Sequence, residues 1–226
     1  MNPRISIILP VLNEAPLLAS TLARLPAAAD LEIILVDGGS ADATWEVAAR
    51  HPQVHRLRAP RGRGCQMNAG ARAARGGLLA FLHADTVLAS AHLAALRRTA
   101  TDPTFAAGAF ELALSPPLPA LRCIARAANW RSRLLGLPYG DQVLILQREL
   151  FQALGGFAHH RPEDLDLVIR LKRFTRLRLL SPPVISSGRR WLEQGYFATT
   201  RRHWLALARH LAERAFTRRW PALGKL

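Results

Sequence analysis

Asp85 stands at the end of an apolar run that begins at Leu79, an arrangement typical of a buried strand that ends in a short acidic loop. A carboxylate fixed at a strand end can hold a divalent cation against a phosphate. A second acidic pair, Glu163 and Asp164, follows much later in the chain and can supply a general base. Metal-assisted chemistry on a phosphorylated ligand is therefore the first hypothesis.

The apolar pattern predicts the scaffold that must position these acids. Apolar runs predict strands over 5–10, 32–37, 78–82 and 143–147, residues 54–57 are a further candidate, and an alternating pattern predicts a half-exposed strand over 105–114. Helical spacing predicts helices over 15–25, 42–50, 65–75, 91–99, 120–135, 149–154 and 163–172. Pro10 is predicted to close the first strand, since a central strand cannot use a residue without an N–H. Strands and helices that alternate in this way predict an α/β fold with a mostly parallel sheet covered on both faces. Asp37 and Asp85 both follow strands, where such sheets bind ligands.

The composition narrows the partners and the compartment. The chain has 226 residues, with 31 basic and 16 acidic side chains and a net charge of +15, which predicts attraction to anions. A nucleic-acid-binding protein is an alternative on charge alone. However, the basic residues are spread along the chain without an RNA-binding or helix-turn-helix pattern, so no nucleic acid is expected. Two cysteines without metal spacing and the lack of a long apolar stretch predict a cytoplasmic protein.

The order of the motifs resembles the family 2 glycosyltransferases of the GT-A fold over about residues 4–191. The closest resemblance is to a subgroup with the patterns Val-Asp-Gly-Gly-Ser and Leu-His-Ala-Asp-Thr. The resemblance implies a Rossmann-like nucleotide-binding half followed by an acceptor half. It rests on these segments in order: 7–14, 36–44, 68–77, 83–85, 155–157, 163–170 and 189–191.

The resemblance also implies the reaction and the residues that serve it. It implies inverting transfer of a sugar from a nucleotide-diphosphate sugar to an acceptor that the sequence does not identify, lipid-linked and phosphorylated acceptors being candidates. Asp85, with His83, would hold Mg²⁺ or Mn²⁺, and Asp164 would be the catalytic base, with Glu163 as the alternative. The implied nucleotide-sugar contacts are Pro10, Leu12, Glu14, Asp37, Asn68, Ala84 and Arg190. Arg63 and Arg189 are further candidates for phosphate contacts.

The acceptor side is less well defined by the sequence. Asp141 and Gln142 follow Gly140 in a loop that can line an acceptor pocket, and an ordinary turn is the alternative. Trp191, in the late basic-aromatic motif, is a third candidate for acceptor contact.

Two departures from the family pattern leave alternatives open. Gly38 stands where a second acid usually follows Asp37, and His83 stands where the metal motif usually begins with Asp. A catalytically degenerate scaffold is therefore an alternative hypothesis. Taken alone, Asp85 can be a turn residue, and Glu163 and Asp164 can simply favour a helix start through the helix dipole. A nucleotidyltransferase is disfavoured because no glycine-rich loop occupies 10–14.

Residues 192–226 are interpreted as a basic amphipathic helical extension beyond a catalytic domain of residues 1–191. Apolar side chains recur there at helical spacing, at Trp204, Leu207, Leu211 and Ala215. Such a helix can lie on an acidic membrane surface, or it can pack on the domain and expose its polar face to solvent. The first reading would place the protein at the inner face of the membrane.

Overall fold

The computed structural model describes residues 4–25, 28–158 and 162–202, together with residues 205 and 208. The chain divides into two compact units, residues 1–187 and 188–226. In the first unit the described strands are β1 (Ile5–Val11), β2 (Leu31–Asp37), β3 (Val54–Arg58), β4 (Leu78–Phe81), β5 (Thr86–Val87), β6 (Ala107–Ser115), β7 (Leu144–Gln147) and β8 (Arg178–Ser187). The helices are α1 (Ala15–Arg24), α2 (Thr44–Ala49), α3 (Arg63–Ala73), α4 (Ser90–Thr101), α5 (Pro119–Leu135), α6 (Arg148–Ala153) and α7 (Glu163–Leu171).

The described strands form one sheet in the order β3-β2-β1-β4-β7-β6-β8-β5. The pairs β1–β2, β1–β4, β2–β3 and β6–β8 are parallel, and the pairs β4–β7, β6–β7 and β5–β8 are antiparallel. The predicted α/β fold with a mostly parallel sheet is thus confirmed. Because β1 to β4 run in parallel, the loops that follow them meet at one edge of the sheet.

Pro10 does not close β1, which continues to Val11 beside β2. The predicted end was wrong because Pro10 faces a place where no ladder bond is needed. The carbonyl of Ile8 faces β4 and accepts the N–H of Leu82, and β4 has already ended at Phe81. Pro10, two residues after Ile8, faces the same side beyond that end, so its missing N–H costs the sheet nothing.

Two strands were not predicted from the sequence. β8 contains Pro182 and Pro183, which argue against a strand, and β5 has only two residues. Their pairing is important for the site, because it brings the end of β8 beside the loop that follows β4. The N–H of Ser187 donates to the carbonyl of Asp85 at 3.1 Å.

The core lies on the buried faces of the sheet. Every residue of β1 and β4 is buried, and α1 contributes Leu18 and Leu22 to the same cluster. Burial on both faces explains why these strands read as continuous apolar runs. Among the described residues, no helix combines the length and apolarity that crossing a membrane requires.

The second unit is described only in part. It contains α8 (Arg189–Gln194), and residues 196–202 are helical as well. The predicted apolar positions Trp204, Leu207, Leu211 and Ala215 lie outside the described residues, so the amphipathic extension stays a prediction.

Candidate active site

The loops that follow β1 and β2 are joined to each other by four hydrogen bonds. In each bond a backbone N–H at one loop donates to a side-chain oxygen at the other. The bonds are Asn13 N–H to Ser40 Oγ (2.9 Å), Ala41 N–H to Asn13 Oδ1 (2.8 Å), Glu14 N–H to Thr44 Oγ1 (2.8 Å) and Ala15 N–H to Asp42 Oδ2 (3.2 Å). Together the two loops form one continuous wall at the carboxyl edge of the sheet.

Asp37 anchors this wall from the end of β2. It is buried, and its Oδ1 accepts the N–H of Ser40 at 3.0 Å and the Ser40 hydroxyl at 2.5 Å. Leu12 and Glu14, predicted to contact the nucleotide, are half-buried in the neighbouring loop. The structure therefore brings Pro10, Leu12, Glu14 and Asp37 to the same end of β1 and β2, and their contacts with a nucleotide stay a prediction.

Gln66, which was not predicted as a site residue from the sequence, explains why a glycine stands at position 38, next to Asp37. Its Nε2 donates to the carbonyls of Val11 at 2.7 Å and of Val36 at 2.9 Å, tying β1 to β2 from α3. A Cβ on Gly38 would lie 2.9 Å from the Gln66 Cδ. The glycine and the buried glutamine thus belong together, and the space that another side chain would fill is taken by an amide. Nothing in the sequence around Gln66 signalled that its side chain would be buried against Gly38.

Replacing Gly38 by Ala is expected to lower the melting temperature, because the added methyl displaces Gln66 from both carbonyls. Losing two buried hydrogen bonds costs on the order of 1–3 kcal/mol, which corresponds to about 2–4 °C per kcal/mol in a domain of this size. Thermal unfolding of G38A, Q66A and the double variant measures this change in melting temperature. The effect of G38A should be smaller when Gln66 is absent. Gly77→Ala is the matched control, because a Cβ there meets nothing within 4 Å. Equal melting of G38A and wild type would contradict the coupling.

Hydrogen bonds to its backbone fix the loop His83–Asp85. The carbonyl of Ala84 accepts the Thr21 hydroxyl at 2.5 Å, and the N–H of Thr86 donates to the carbonyl of His83 at 3.1 Å. The Ala84 side chain is buried, whereas His83 and Asp85 are half-buried. The backbone thus presents the side chains of His83 and Asp85 from a rigid support.

This loop fits a divalent cation only if the ligand completes the coordination. Asp85 Oδ1 lies 3.5 Å from the Thr86 hydroxyl, a long contact that leaves its oxygens able to bind a cation. Across residues 4–25, 28–158 and 162–202 no group of three His, Cys, Asp or Glu side chains is close enough to hold a metal ion. Mg²⁺ and similar cations are commonly bound by one or two carboxylates together with substrate phosphates. The donor set of Asp85 and His83 fits that mode.

Glu163 and Asp164 begin α7 and are both buried, at 2% and 6% exposure. Arg63, the first residue of α3, bridges them: its Nε donates to Glu163 Oε1 at 2.5 Å and its Nη2 to Asp164 Oδ2 at 2.8 Å. The close approach depends on Gly64, since a Cβ there would lie 2.6 Å from the carbonyl of Ala158. The β3–α3 loop and α7 therefore meet at a buried ion-pair cluster.

The two acids of this pair are not fully satisfied by Arg63. Asp164 Oδ1 and Glu163 Oε2 are buried and accept no hydrogen bond from the described residues. Burial raises the pKa of Asp164 to about 6, with Glu163 and Asp141 adding to the rise, while Arg63 and the N–H of Gly140 oppose it. Asp164 therefore changes protonation near neutral pH and retains an oxygen that can accept a proton.

Glu32 is a second buried acid, but its pKa is shifted in the opposite direction from that of Asp164. Burial alone would raise the pKa of Glu32, but hydrogen bonds from the Arg75 backbone, the Ser6 hydroxyl and the Arg75 guanidinium lower it below its usual value. Glu32 is a structural carboxylate at the opposite, amino end of the strands. The pKa of Asp164 stays raised because the contacts with Arg63 and Gly140 do not outweigh its burial, whereas the hydrogen bonds to Glu32 do.

Gly140 lies between the loop that follows β4 and the acidic pair. A Cβ on Gly140 would lie 2.4 Å from Asp164 Oδ2 and 2.8 Å from His83 Nε2. Both side chains therefore converge on the backbone of the 3₁₀ turn Gly140–Gln142. Residues that are far apart in the chain, in the loop after β4, on α7 and in the loop after α5, thus lie together.

Other predicted site residues hold this framework together. Gln142 is fully buried; it receives the Ser132 hydroxyl at 2.8 Å and donates to the carbonyl of Phe110 at 3.0 Å. Asn68 exchanges two hydrogen bonds of 2.9 Å with the backbone of Phe157. These contacts give both side chains a structural role, and their predicted contacts with ligands stay predictions.

Arg189, Arg190 and Trp191 open α8 in the second compact unit. Trp191 is buried, and the Arg190 carbonyl lies 3.5 Å from the Thr199 hydroxyl. Contact of Arg190 with a nucleotide sugar and of Trp191 with an acceptor therefore remains a prediction.

Comparison with known proteins identifies the family. The family model described as glycosyl transferase family 2 matches residues 6–130, more than half of the chain. The chain belongs to glycosyl transferase family 2. The match covers β1 to β6 and most of α5, which includes the nucleotide-side loops and Asp85. No curated protein sequence matches the chain.

Solved structures share the fold of this family 2 glycosyltransferase. The mannosyltransferase PcManGT from Pyrobaculum calidifontis, in complex with GDP-Man and Mn²⁺, is 24% identical with a TM-score of 0.61, over 83% of this chain and 57% of that one. Residues 1–349 of TarS from S. aureus are 15% identical with a TM-score of 0.65, over 81% of this chain and 60% of that one. This chain therefore spans less than two thirds of the length of either protein.

A third structure extends the likeness. Glucosyl-3-phosphoglycerate synthase from Mycobacterium tuberculosis, in complex with Mn²⁺, UDP and glucosyl-3-phosphoglycerate, is 18% identical with a TM-score of 0.61, over 82% of this chain and 70% of that one. At these identities the likeness establishes the GT-A type of fold for the family 2 glycosyltransferase described here.

Proposed function

We propose that this family 2 glycosyltransferase transfers a sugar, with inversion, from a nucleotide-diphosphate sugar to an acceptor, with the help of Mg²⁺ or Mn²⁺. The observation that carries the proposal is the convergence of His83 and Asp164 on Gly140. A side chain proposed to bind the cation and the proposed base thus lie near the same backbone, which supports transfer between a phosphorylated donor and an acceptor at this point. The complexes of the mannosyltransferase and of the mycobacterial synthase with Mn²⁺ and nucleotides support the donor class.

Asp164 is the proposed general base. Its Oδ2 is held by Arg63, while Oδ1 is left to accept the proton of an acceptor hydroxyl. A pKa of about 6 leaves it mostly ionised at neutral pH and close enough to that pH to accept a proton. Glu163, bound by Arg63 Nε, is the alternative base or a positioning group. An acceptor that is itself a phosphate would need neither.

Asp85 and His83 are the residues proposed to hold the cation. When bound, the cation supplies Lewis-acid neutralisation of charge on the leaving diphosphate. The side chains contribute one carboxylate and one imidazole from a loop fixed by backbone hydrogen bonds. An imidazole ligand suits Mn²⁺ better than Mg²⁺. The joined loops after β1 and β2 are the proposed seat of the nucleoside.

The acceptor and the place of action are inferred from charge. A net charge of +15 suits phosphorylated or lipid-linked acceptors and an acidic membrane surface. The basic C-terminal segment 192–226 is proposed to contact such a surface from the cytoplasmic side.

A thermal-shift screen tests the donor class. Mn²⁺ with a nucleoside diphosphate is expected to raise the melting temperature by more than the sum of the two separate effects, because Asp85 and His83 alone do not complete a coordination sphere. Nucleoside monophosphates are the matched control, since they lack the second phosphate. Transfer is then measured with the nucleotide sugar that stabilises most.

Equal stabilisation by the diphosphate in Mn²⁺ and in EDTA would contradict the metal role. Synergy between Mn²⁺ and the diphosphate, without turnover of any nucleotide sugar, would favour the degenerate scaffold instead.

A further inference from the structure

Helix α5 carries an apolar face that the described part of the protein leaves uncovered. Trp130 and Leu134, one turn apart, are 66% and 75% exposed, and Leu135 is 48% exposed. Cys123 and Ala127 extend the same face toward the start of the helix and are exposed as well. Large apolar side chains at i and i+4 with this exposure are unusual on a surface that meets only water. This face is called the α5 face below.

Positive charge surrounds the α5 face. Helix α5 contains four arginines and no Asp or Glu. Arg122 and Arg126 are exposed, and within residues 4–25, 28–158 and 162–202 neither forms an ion pair. These two cations are therefore available to a partner.

The turn after α7 adds to the same end of α5. The Lys172 ammonium donates to the carbonyl of Leu135, which places residues 172–176 beside the end of α5. Phe174 in this turn is 69% exposed, and Arg173 and Arg176 beside it are exposed too. Residues 171–178 contain no acidic side chain. Two separate segments of the first compact unit thus combine protruding apolar side chains with exposed positive charge.

We propose that the α5 face and the turn 172–176 bind the surface of an anionic lipid bilayer. Trp130, Leu134 and Phe174 would enter the boundary between head groups and acyl chains, and the arginines would contact lipid phosphates. An amphipathic helix with aromatic and aliphatic residues on one side and basic residues beside them binds in this way. Each basic residue near such a surface strengthens binding. The proposal concerns the first unit alone and does not rest on the proposed sugar transfer or on the C-terminal segment.

The charges favour a bilayer over two other occupants. A second copy of the chain would pack two α5 faces together, each with Arg122 and Arg126 and without an Asp or Glu on α5 to pair with them, which is unfavourable. A nucleic acid would suit the arginines but leave the exposed leucines without an apolar partner, since single strands stack on aromatic side chains. An anionic bilayer satisfies the leucines and the arginines together.

The position of the α5 face adds a consequence for the site. Helix α5 ends at Leu135, and the chain continues directly into the loop that carries Gly140. Docking of α5 on a bilayer would hold this loop near the lipid surface, where a membrane-linked acceptor would be presented.

Flotation of the full chain with vesicles tests the proposal. We expect binding to vesicles of phosphatidylglycerol and phosphatidylcholine in equal parts, little binding to phosphatidylcholine alone, and weakening with salt. The double variants W130S/L134S and R122Q/R126Q should each bind at least about tenfold more weakly. The matched control is R24Q/R98Q, which removes the same charge from exposed positions on α1 and α4.

Each of the following results would contradict the proposal. Equal loss in R122Q/R126Q and R24Q/R98Q would indicate attraction by net charge alone, and full binding of W130S/L134S would assign docking to another segment. A monomer–dimer equilibrium in sedimentation that W130S/L134S abolishes, without vesicle binding, would make a second copy the occupant. Binding to duplex DNA in place of vesicles, lost in R122Q/R126Q, would make it a nucleic acid. Melting temperatures of all variants confirm that they fold.

Discussion

Replacing Asp164 by Asn is expected to lower kcat about 10²- to 10⁴-fold while the protein still folds, because a general base contributes roughly this factor. The substitution keeps the size of the side chain and removes the proton acceptor. Initial rates with a saturating nucleotide sugar and acceptor measure the effect. The effect should fall on kcat rather than on the affinity for the donor. Asp102→Asn is the matched control, since Asp102 forms an exposed ion pair with Arg178.

The pKa of Asp164 fixes the pH dependence that accompanies this result. Below a pH of about 6 the carboxyl of Asp164 is protonated, so the rate of the wild type should fall about tenfold for each pH unit. Stability should change in the opposite sense. A raised pKa favours the protonated native state, so this contribution is complete below pH 3.8 and is lost as the pH rises through about 6. D164N should therefore melt at a higher temperature than wild type at pH 8.

Other outcomes would reassign the base. If D164N keeps the rate of the wild type and E163Q loses it, Glu163 takes the role. If neither variant is slower, the acceptor carries an ionised group such as a phosphate and needs no base.

Replacing Asp85 by Ala is expected to reduce turnover at least about 10³-fold, because the carboxylate is the principal proposed ligand of the cation that neutralises the leaving diphosphate. The synergy between Mn²⁺ and a nucleoside diphosphate in thermal unfolding should disappear in the same variant, which separates loss of the ligand from loss of the fold. His83→Ala should act less strongly and reduce the preference for Mn²⁺ over Mg²⁺.

A surface carboxylate provides the comparison for this variant. Asp30 forms an exposed ion pair with Arg97, so D30A removes the same group far from the proposed chemistry. Turnover of D85A equal to that of D30A would exclude the proposed metal role of Asp85.

The sequence predicted the nucleotide half of the fold better than the rest, for physical reasons. Buried parallel strands such as β2 and β4 appear as uninterrupted apolar runs, and Asp37 and Asp85 stand at or shortly after their ends. β8 escaped because Pro182 and Pro183 occupy positions that its ladder tolerates, and β5 because two residues carry no period. β5 and β8 are far apart in the sequence, so their pairing could not be predicted from the local pattern of residues.

The candidate site was also predicted only in part. The types and order of His83, Asp85, Glu163 and Asp164 were readable from the sequence, whereas their meeting at Gly140 depends on long-range packing. Arg63 was considered only as a phosphate contact, since its pairing with α7 spans a hundred positions. Gln66 escaped because nothing in its neighbours signals that an amide replaces the missing acid beside Gly38.

The hydrogen bonds between the loop at Asn13 and the loop at Ser40 have a thermodynamic consequence. Loops already ordered in the empty protein lose little conformational freedom when a ligand arrives, so little of the interaction energy is lost to ordering. The same rigidity discriminates against ligands of a different shape, because such walls do not readily adapt. Recognition of the donor is thus expected to depend on shape at the joined loops after β1 and β2, and on charge at the loop that carries His83 and Asp85.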